Sequence, residues 1–275
     1  MSENCSHNCS ECAKGCGANE KGSLLKSLPA GARVKKVIAV VSGKGGVGKS
    51  SVCALLAAMS AKKGYKTAVL DADVTGPSLP KMFGVNEKAK ANERGIVPVE
   101  TKSGIQTMSM NLLLENESDP VLWRGALIAG AAVQFWTDVL WRDVELMFVD
   151  MPPGTGDVPL SVFQSLPLAG VVVVSTPQDL VRMIVEKALN MAKKMNIPVL
   201  GLVENMSYAV CPCCSARLEI FGQSKAAAVA NEFGISAVAR LPVDPELVAL
   251  ADGGRVEEYA STEPLEGVFR AIEEA

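Results

Sequence analysis

The amino-acid sequence predicts an α/β protein with a doubly wound, mostly parallel sheet, preceded by a short, flexible, cysteine-rich N-terminal segment. One observation is that short aliphatic runs alternate with stretches of helical periodicity. A second is that these runs lack the polar–apolar alternation of half-exposed strands, as expected for strands covered on both faces. A third is a glycine-rich turn between the first run and the first helical stretch. The runs are KVIAVVS, KTAVLD, LMFVD, GVVVVST and PVLGLVEN.

The composition is that of a globular protein with a large core. The 275 residues are 48% hydrophobic and 21% charged, with a mean hydropathy of +0.22. The formal net charge of −3 disfavours nucleic acid and anionic membranes as partners. The N-terminus has no basic start followed by an apolar run, and no apolar stretch approaches the about 20 residues that span a bilayer. We therefore expect a cytoplasmic protein.

The first 34 residues are predicted to be a separate segment and linker, and residues 35–275 the α/β domain. The stretch CSHNCSECAKGCGANEKG is polar and too poor in apolar residues to fold without a metal or a partner. Clustered cysteines in a cytoplasmic protein more often bind metal or take part in redox chemistry than form disulfides. Since His7 is the single histidine, sites built on histidine are nearly excluded elsewhere.

The glycine-rich turn carries a phosphate-binding motif. Gly43, Gly48, Lys49 and Ser50 satisfy G-x-x-x-x-G-K-[ST] between a predicted strand and a predicted helix. Backbone N–H groups at a helix N-terminus wrap phosphate oxygens, while the lysine neutralises β- and γ-phosphate charge and the serine binds Mg²⁺. A glycine turn without a ligand is the alternative, and the strand–turn–helix context disfavours it.

The sequence KGGVGKS resembles the deviant P-loop shared by the MinD and ParA ATPases, the nitrogenase iron protein and the Mrp proteins. In that group the additional lysine, here Lys44, reaches across a homodimer to the partner's nucleotide. The resemblance therefore implies a homodimer with ATP between its subunits. The implied nucleotide-binding loop is Gly43, Lys44, Gly45, Gly46, Val47, Gly48, Lys49, Ser50 and Ser51.

Acidic residues follow two predicted strands, at the edge where parallel sheets bind ligands. Asp150 suits a carboxylate that holds the Mg²⁺ site, and it opens the loop DMPPGTGD, which suits movement with the γ-phosphate. By resemblance, Asp73 positions the attacking water and Asp71 supports the magnesium shell. Turn or capping chemistry is the alternative for either aspartate alone. With Lys44, Lys49 and Asp73 as catalytic residues, the motifs predict hydrolysis of ATP or GTP.

The base is predicted to be adenine. The guanine motif N-K-x-D does not occur in its usual place. The stretch VENMSY places Asn205 where relatives direct an amide at adenine, and Pro242 and Asp244 of LPVDPEL match the loop that closes over the base.

A longer series of motifs resembles the Mrp/ApbC proteins, which are ATP-binding carriers or scaffolds for iron–sulfur clusters. The series runs DADVTGPSLP, VLWRG, QFWTDVLW, DMPPGTGD, NMSY, CPxC and LPVDP, over about residues 35 to 260. MinD and ParA proteins lack WRG and CPxC. One departure is WRGA, where relatives often have WRGP.

Cys211 and Cys214 have the C-x-x-C spacing that directs two thiolates at one metal. A [4Fe–4S] cluster takes four thiolates, so we expect a two-fold axis to bring the same pair from a second copy. A zinc site and a redox dithiol are the alternatives. Cys213 is interpreted as a tolerated small residue, the other readings being a spare ligand or a transient thiol. Cys53 is predicted to be buried as a small apolar residue.

The N-terminal set of Cys5, Cys9, Cys12 and Cys16 can enclose one [4Fe–4S] cluster. Some Mrp relatives, notably the eukaryotic cytosolic scaffolds, carry a similar group of N-terminal cysteines, although their first cysteine stands much further from the others. A zinc site that includes His7 is the competing interpretation.

The combined prediction is an iron–sulfur carrier that hydrolyses ATP slowly, since no obvious arginine finger is encoded. Its partners would be a second copy or a paralogue, and apo iron–sulfur proteins as recipients. The alternatives are a MinD- or ParA-type spatial switch and a nitrogenase-iron-protein-like reductase. The C-terminal stretch EPLEGVFRAIEEA has a glutamate-rich outer face, which predicts a helix packed on the domain and not a membrane anchor.

Overall fold

A computed structural model describes residues 24–74, 76–114, 125–154, 156–178 and 181–275. The N-terminal cysteines Cys5, Cys9, Cys12 and Cys16 lie outside the described residues, as do His7 and the Trp123–Arg124 pair of the WRG motif.

Nine strands of the described residues form one sheet in which most neighbours are parallel. Its order is β10-β9-β8-β1-β7-β2-β6-β5, and β11 pairs in parallel with β9. Only β5 and β10, at the ends of that order, pair antiparallel. A small antiparallel pair, β3–β4, lies apart. This confirms the predicted doubly wound sheet. The strands are β1 (Val34–Ser42), β2 (Thr67–Asp71), β3 (Lys90–Asn92), β4 (Gly95–Val97), β5 (Val99–Glu100), β6 (Gln106–Met108), β7 (Val144–Asp150), β8 (Leu168–Ser175), β9 (Val199–Val210), β10 (Arg217–Leu218) and β11 (Val238–Pro242).

Helices cover both faces of the sheet, which explains why the strands read as continuous aliphatic runs. Along β1, Val37, Ala39 and Val41 face one core while Ile38 and Val40 face the other. Helices α3 to α6 contribute to the first core, and α1, α2, α7 and α8 to the second. The helices are α1 (Lys49–Lys62), α2 (Leu79–Met82), α3 (Gly125–Thr137), α4 (Asp157–Ser165), α5 (Val181–Lys194), α6 (Ala226–Phe233), α7 (Pro245–Asp252) and α8 (Glu266–Glu274).

The C-terminal helix α8 packs on the domain as predicted. Val268, Phe269 and Ile272 are fully buried along one side of the helix, in contact with the core that contains α1. None of the described helices is long and apolar enough to cross a membrane.

The linker before β1 is fixed to the domain by backbone hydrogen bonds. Lys26 N donates to Ser165 O at the end of α4 (2.8 Å), and the indole Nε1 of Trp136 donates to Lys26 O (2.8 Å). Leu28 packs against the core beside them. The first tryptophan of QFWTDVLW therefore anchors the chain that leads to the N-terminal cysteines.

Candidate functional site

The predicted phosphate loop joins β1 to α1 and lines a cavity. Gly48, directly before α1, has φ 76° and ψ 28°, a left-handed conformation that glycine adopts without strain. The cavity has a volume of about 230 Å³. It is lined by Ser42, Lys44, Gly45, Gly46, Val47, Gly48, Lys49, Ser50, Ser51, Asp73, Ser78, Met82 and Pro153. The structure thus places Asp73 beside the loop, as the resemblance implied.

A buried charge cluster lies at the base of this loop. Lys49 Nζ forms an ion pair with Asp150 Oδ1, and Ser50 Oγ donates to Asp150 Oδ2 at 2.6 Å. The side chains of Lys49 and Asp150 are 6% and 1% exposed. A hydroxyl and carboxylates are the hard oxygen donors that Mg²⁺ prefers, so the residues present here fit a magnesium ion.

A second buried carboxylate lies next to the first. Asp71 ends β2 and is the register partner of Asp150, which ends β7. Burial, followed by the negative charge of Asp150, raises the pKa of Asp71 to about 8. Burial also raises the pKa of Asp150, against the opposing charge of Lys49. Two carboxylates therefore share one lysine, and a divalent cation would offset the remaining negative charge.

Asp71 also has a partner that the sequence interpretation missed. The fully buried Ser109 donates from Oγ to Asp71 Oδ2 (3.2 Å), and Asp73 N donates to Oδ1 (3.2 Å). Ser109 directly follows β6, the parallel neighbour of β2. Its position at the carboxyl edge of the sheet was the available signal.

The Asp71→Asn variant tests this electrostatic arrangement. Folded protein holds the Asp71 proton up to about pH 8, whereas an unfolded aspartate loses it near pH 4. Stability from this group is therefore present at low pH and is lost as pH rises through that window. For nucleotide-free protein in EDTA, we expect the melting temperature to fall less between pH 6 and pH 8.5 in Asp71→Asn than in the parent. Exposed Asp252→Asn is the control and should keep the parental slope; equal slopes in all three proteins would contradict the assignment.

Lys44 contacts its own chain. Its Nζ donates to Oε1 of Gln178 at 2.7 Å, and Gln178 lies just beyond β8. The role implied by resemblance, contact with a partner's nucleotide, requires this hydrogen bond to be exchanged. Gln178 was not among the residues predicted from the sequence.

Asn205 contacts the phosphate loop itself. Its Nδ2 donates to Val47 O (3.0 Å), and a Cβ added to Gly48 would lie 2.1 Å from that nitrogen. The next residue, Met206, has φ 54°, in the left-handed region. The amide expected at adenine is therefore packed against the P-loop in this structure.

The other predicted base-contacting residues have structural roles here. Asp244 caps α7 through its Oδ1, which accepts from Glu246 N (2.8 Å), and its Oδ2 accepts from the Tyr259 hydroxyl (2.7 Å). Pro242 ends β11. Neither residue is among the described residues that line the cavity.

The C-x-x-C pair forms a tight hairpin between β9 and β10. Cys211 N donates to Ala216 O and Ser215 N donates to Cys211 O, each at 2.9 Å. Backbone N–H groups of Cys214 and then Cys213 donate to the Cys211 sulfur and lower its pKa, which favours the thiolate that binds metal. Cys213 and Cys214 are exposed and Cys211 is half-buried.

Within the described part of the chain, no complete set of metal ligands comes together at this hairpin. Over the described residues, no group of three or more His, Cys, Asp or Glu side chains lies close enough to hold a metal ion. The described cysteines are all free thiols. Cys53, in contrast, is fully buried within α1, as predicted.

Comparison with models of protein families shows which family this chain belongs to. The model described as ParA, NUBPL iron-transfer P-loop NTPase, matches residues 33–275. The chain belongs to this family of P-loop NTPases. The match confirms the resemblance read from the deviant P-loop and the later motifs.

Relatives of this NTPase are similar over most of its length. It is 43% identical, over 94% of the chain, to a Clostridium perfringens protein named iron-sulfur cluster carrier protein, of which it covers 96%. An Archaeoglobus fulgidus nucleotide-binding protein, solved in complex with ADP, is 44% identical with a TM-score of 0.76, covering 85% of this chain and 91% of that one.

More distant structures share only the fold. The cell division ATPase MinD of Pyrococcus furiosus is 20% identical with a TM-score of 0.62, covering 87% of this chain and 97% of that chain. That likeness supports the sheet topology and gives no support to a MinD-type function.

Proposed function

We propose that this NTPase is an ATP-dependent iron–sulfur cluster carrier, which binds a [4Fe–4S] cluster at Cys211 and Cys214 and transfers it to apo-proteins. The observation that carries the proposal is that strand β9 connects the phosphate loop to the C-x-x-C pair. Strand β9 contacts the phosphate loop through Asn205 and ends at Val210, directly before Cys211. The predicted nucleotide site and the C-x-x-C pair are therefore joined by one strand. The name of the Clostridium perfringens relative supports the same function.

In the nucleotide reaction, backbone N–H groups of residues 45–50 would bind phosphate oxygens. Lys49 would move its charge from Asp150 to the β- and γ-phosphates, and Asp73 would orient the attacking water. Ser50 and Asp150 would hold Mg²⁺, which supplies charge neutralisation when bound. ATP is the proposed nucleotide.

We propose that hydrolysis by a single chain is slow because of where the charge of Lys44 lies. The Lys44–Gln178 hydrogen bond keeps that charge on its own subunit, and we propose that a homodimer brings it to the partner's nucleotide. Until the dimer forms, the γ-phosphate lacks that cation. The chain has eight cysteines, and those in the described residues are free thiols, which suits a cytoplasmic location.

Cluster delivery is proposed to be ligand exchange without redox change. Each incoming thiol of a recipient forms a new iron–sulfur bond as one iron–thiolate bond to Cys211 or Cys214 breaks. The proton of the incoming thiol passes to the departing thiolate, so charge and electrons balance. Exposure of Cys214 gives recipients access to the site.

The N-terminal cysteines are proposed to hold a separate cluster, with zinc as the alternative metal. Trp136 and Ser165 fix Lys26 of the linker at the ends of α3 and α4.

Metal analysis of anaerobically purified protein tests the function. We expect about two iron and two sulfide ions per chain at the hairpin, since one four-iron cluster would be shared by two chains. Cys211→Ser/Cys214→Ser should lose that iron and sulfide and its transfer to an apo-acceptor, while its nucleotide affinity stays within about twofold of that of the cluster-free parent.

Two controls sharpen the result. Cys213→Ser should behave like the parent protein, and a chain lacking residues 1–20 should lose only the N-terminal metal. If the double variant retained the parental iron and sulfide in the truncated chain, the proposed carrier site would be wrong. Zinc measured in place of iron and sulfide would also contradict it.

A further inference from the structure

The hydroxyl of Thr176 is buried without a hydrogen bond. Thr176 directly follows β8 and is 8% exposed. Within the described parts of the chain, its Oγ1 is the buried side-chain polar atom that lacks a hydrogen-bond partner. The buried hydroxyl of Thr67, in contrast, lies 2.7 Å from Ser60 Oγ and donates to Tyr65 O at 3.0 Å. Because an unpaired buried hydroxyl destabilises a protein, its presence calls for an explanation such as a role at a functional site.

The sheet places Thr176 beside Asn205. The last register pair between β8 and β9 is Ser175 with Glu204, so Thr176 and Asn205 are the next residues on the two strands. Neighbouring strands lie about 4.8 Å apart, which makes these two residues neighbours at the carboxyl edge of the sheet. Both residues are buried there.

Both side chains continue on the face of the sheet that carries α1. Val174 in β8 and Val203 in β9 pack in the core that contains α1, and Thr176 and Asn205 follow them by two residues. Side chains two residues apart along a strand point to the same face. The hydrogen bond from Asn205 to Val47 O in the phosphate loop agrees with this direction. Since β8 lies between β9 and β1, Thr176 stands between Asn205 and the start of the loop.

We propose that Thr176 is a positioning residue of the nucleotide site: when ATP binds, its hydroxyl pairs with the side-chain amide of Asn205 and holds that amide towards adenine. The inference rests on the proposed binding of ATP. In this structure the amide donates to Val47 O and the hydroxyl is unpaired. In the complex, one N–H of the amide would donate to Thr176 Oγ1. The other N–H and the carbonyl oxygen would then pair with N7 and the amino group of adenine.

This exchange has opposite consequences for the free protein and for the complex. The free protein carries the cost of an unpaired hydroxyl, whereas the complex gains a hydrogen bond that orients the base-binding amide. Loss of stability in exchange for function is common at binding sites. Valine has the shape of threonine without the hydroxyl. We therefore expect valine at position 176 to stabilise the free protein and to weaken ATP binding, whereas loss of a merely structural hydroxyl would lower stability.

Thr176→Val tests the inference, and Thr67→Val is its matched control. Both variants replace a buried threonine by a residue of the same shape, but the hydroxyl of Thr67 is paired and is not among the groups that line the cavity. The melting temperature is measured without nucleotide in EDTA. The dissociation constants of ATP and of inosine triphosphate are measured with Mg²⁺. Inosine has an oxygen in place of the amino group of adenine, so the ratio of the two constants reports on base recognition.

We expect Thr176→Val to raise the melting temperature by about 2–4 °C and to weaken ATP binding about fivefold. Its binding of inosine triphosphate should change by less than about twofold, because the hydroxyl acts through an amide that recognises adenine. Thr67→Val should lower the melting temperature and keep both affinities. Thr176→Ser retains the hydroxyl and should keep the parental affinity for ATP.

Several results would overturn the inference. A Thr176→Val protein that melts below the parent would show that the hydroxyl is already paired without nucleotide. Equal weakening of ATP and inosine triphosphate would show that Thr176 does not act on the base. Thr176→Val should have no further effect on ATP binding in an Asn205→Ala background, so a further loss there would remove the link to Asn205. A parent that binds neither nucleotide would instead overturn the proposed nucleotide function itself.

Discussion

Lys49→Met is expected to destabilise the nucleotide-free protein by about 3–5 kcal/mol and to reduce ATP hydrolysis by at least about 100-fold. Lys49 forms the ion pair with the buried Asp150, and Asp71 lies beside it. Methionine keeps the length and apolar stem but leaves the buried carboxylate of Asp150 without its cation. Because Asp150 can then take up a proton, the loss should shrink as pH falls. Chemical unfolding at several pH values measures it.

Two further variants separate charge balance from catalysis. Lys49→Met/Asp150→Asn should recover much of the stability, since the buried charge is removed with its partner, but none of the hydrolysis. Lys44→Ala should leave stability within about 1 kcal/mol, because it loses only an exposed hydrogen bond to Gln178, yet lower hydrolysis. A Lys49→Met protein as stable as the parent would show that the ion pair carries no net stabilisation.

Gly48→Ala is expected to destabilise the protein by about 2–4 kcal/mol and to weaken ATP binding at least tenfold. A left-handed conformation costs alanine about 1 kcal/mol. The added methyl would also lie 2.1 Å from Asn205 Nδ2, so the loop or β9 must shift. Thermal unfolding and nucleotide titration measure the two effects.

Gly104→Ala isolates the cost of placing alanine in a left-handed conformation. Gly104 has φ 83°, and nothing lies within 4 Å of its added Cβ. Its cost should stay near 1 kcal/mol with unchanged ATP affinity. Equal losses of stability at positions 48 and 104 would mean that the methyl group added at Gly48 does not clash with Asn205.

The Gly48–Asn205 contact has a consequence for the cysteines. A nucleotide-dependent shift of the loop would displace Asn205 of β9. Cys211 follows Asn205 by six residues. Under the proposed function, nucleotide state and cluster affinity are then linked in both directions.

Much of this molecule follows from local sequence. The aliphatic runs predicted the parallel strands, because burial on both faces removes the polar alternation. The motif from Gly43 to Ser50 predicted the loop, because the glycines and the lysine have few other uses in that context. The positions of Asp71, Asp73 and Asp150 after strands predicted their grouping, since parallel strands end at the same edge.

Other features depended on contacts between distant parts of the chain. The sequence predicted Asn205 at the base, and the structure adds a contact that no motif marks: its amide donates to Val47 O, 158 positions away. Ser109 and Gln178 join the site through separate strands, with no motif to mark them. Val210, Leu218, Ile220 and Phe221 read as ordinary apolar residues until the fold left them exposed beside the thiols. Periodicity and motifs determine the secondary structure and loop type of each segment. The contacts and exposure of its side chains are determined only when the strands and helices pack.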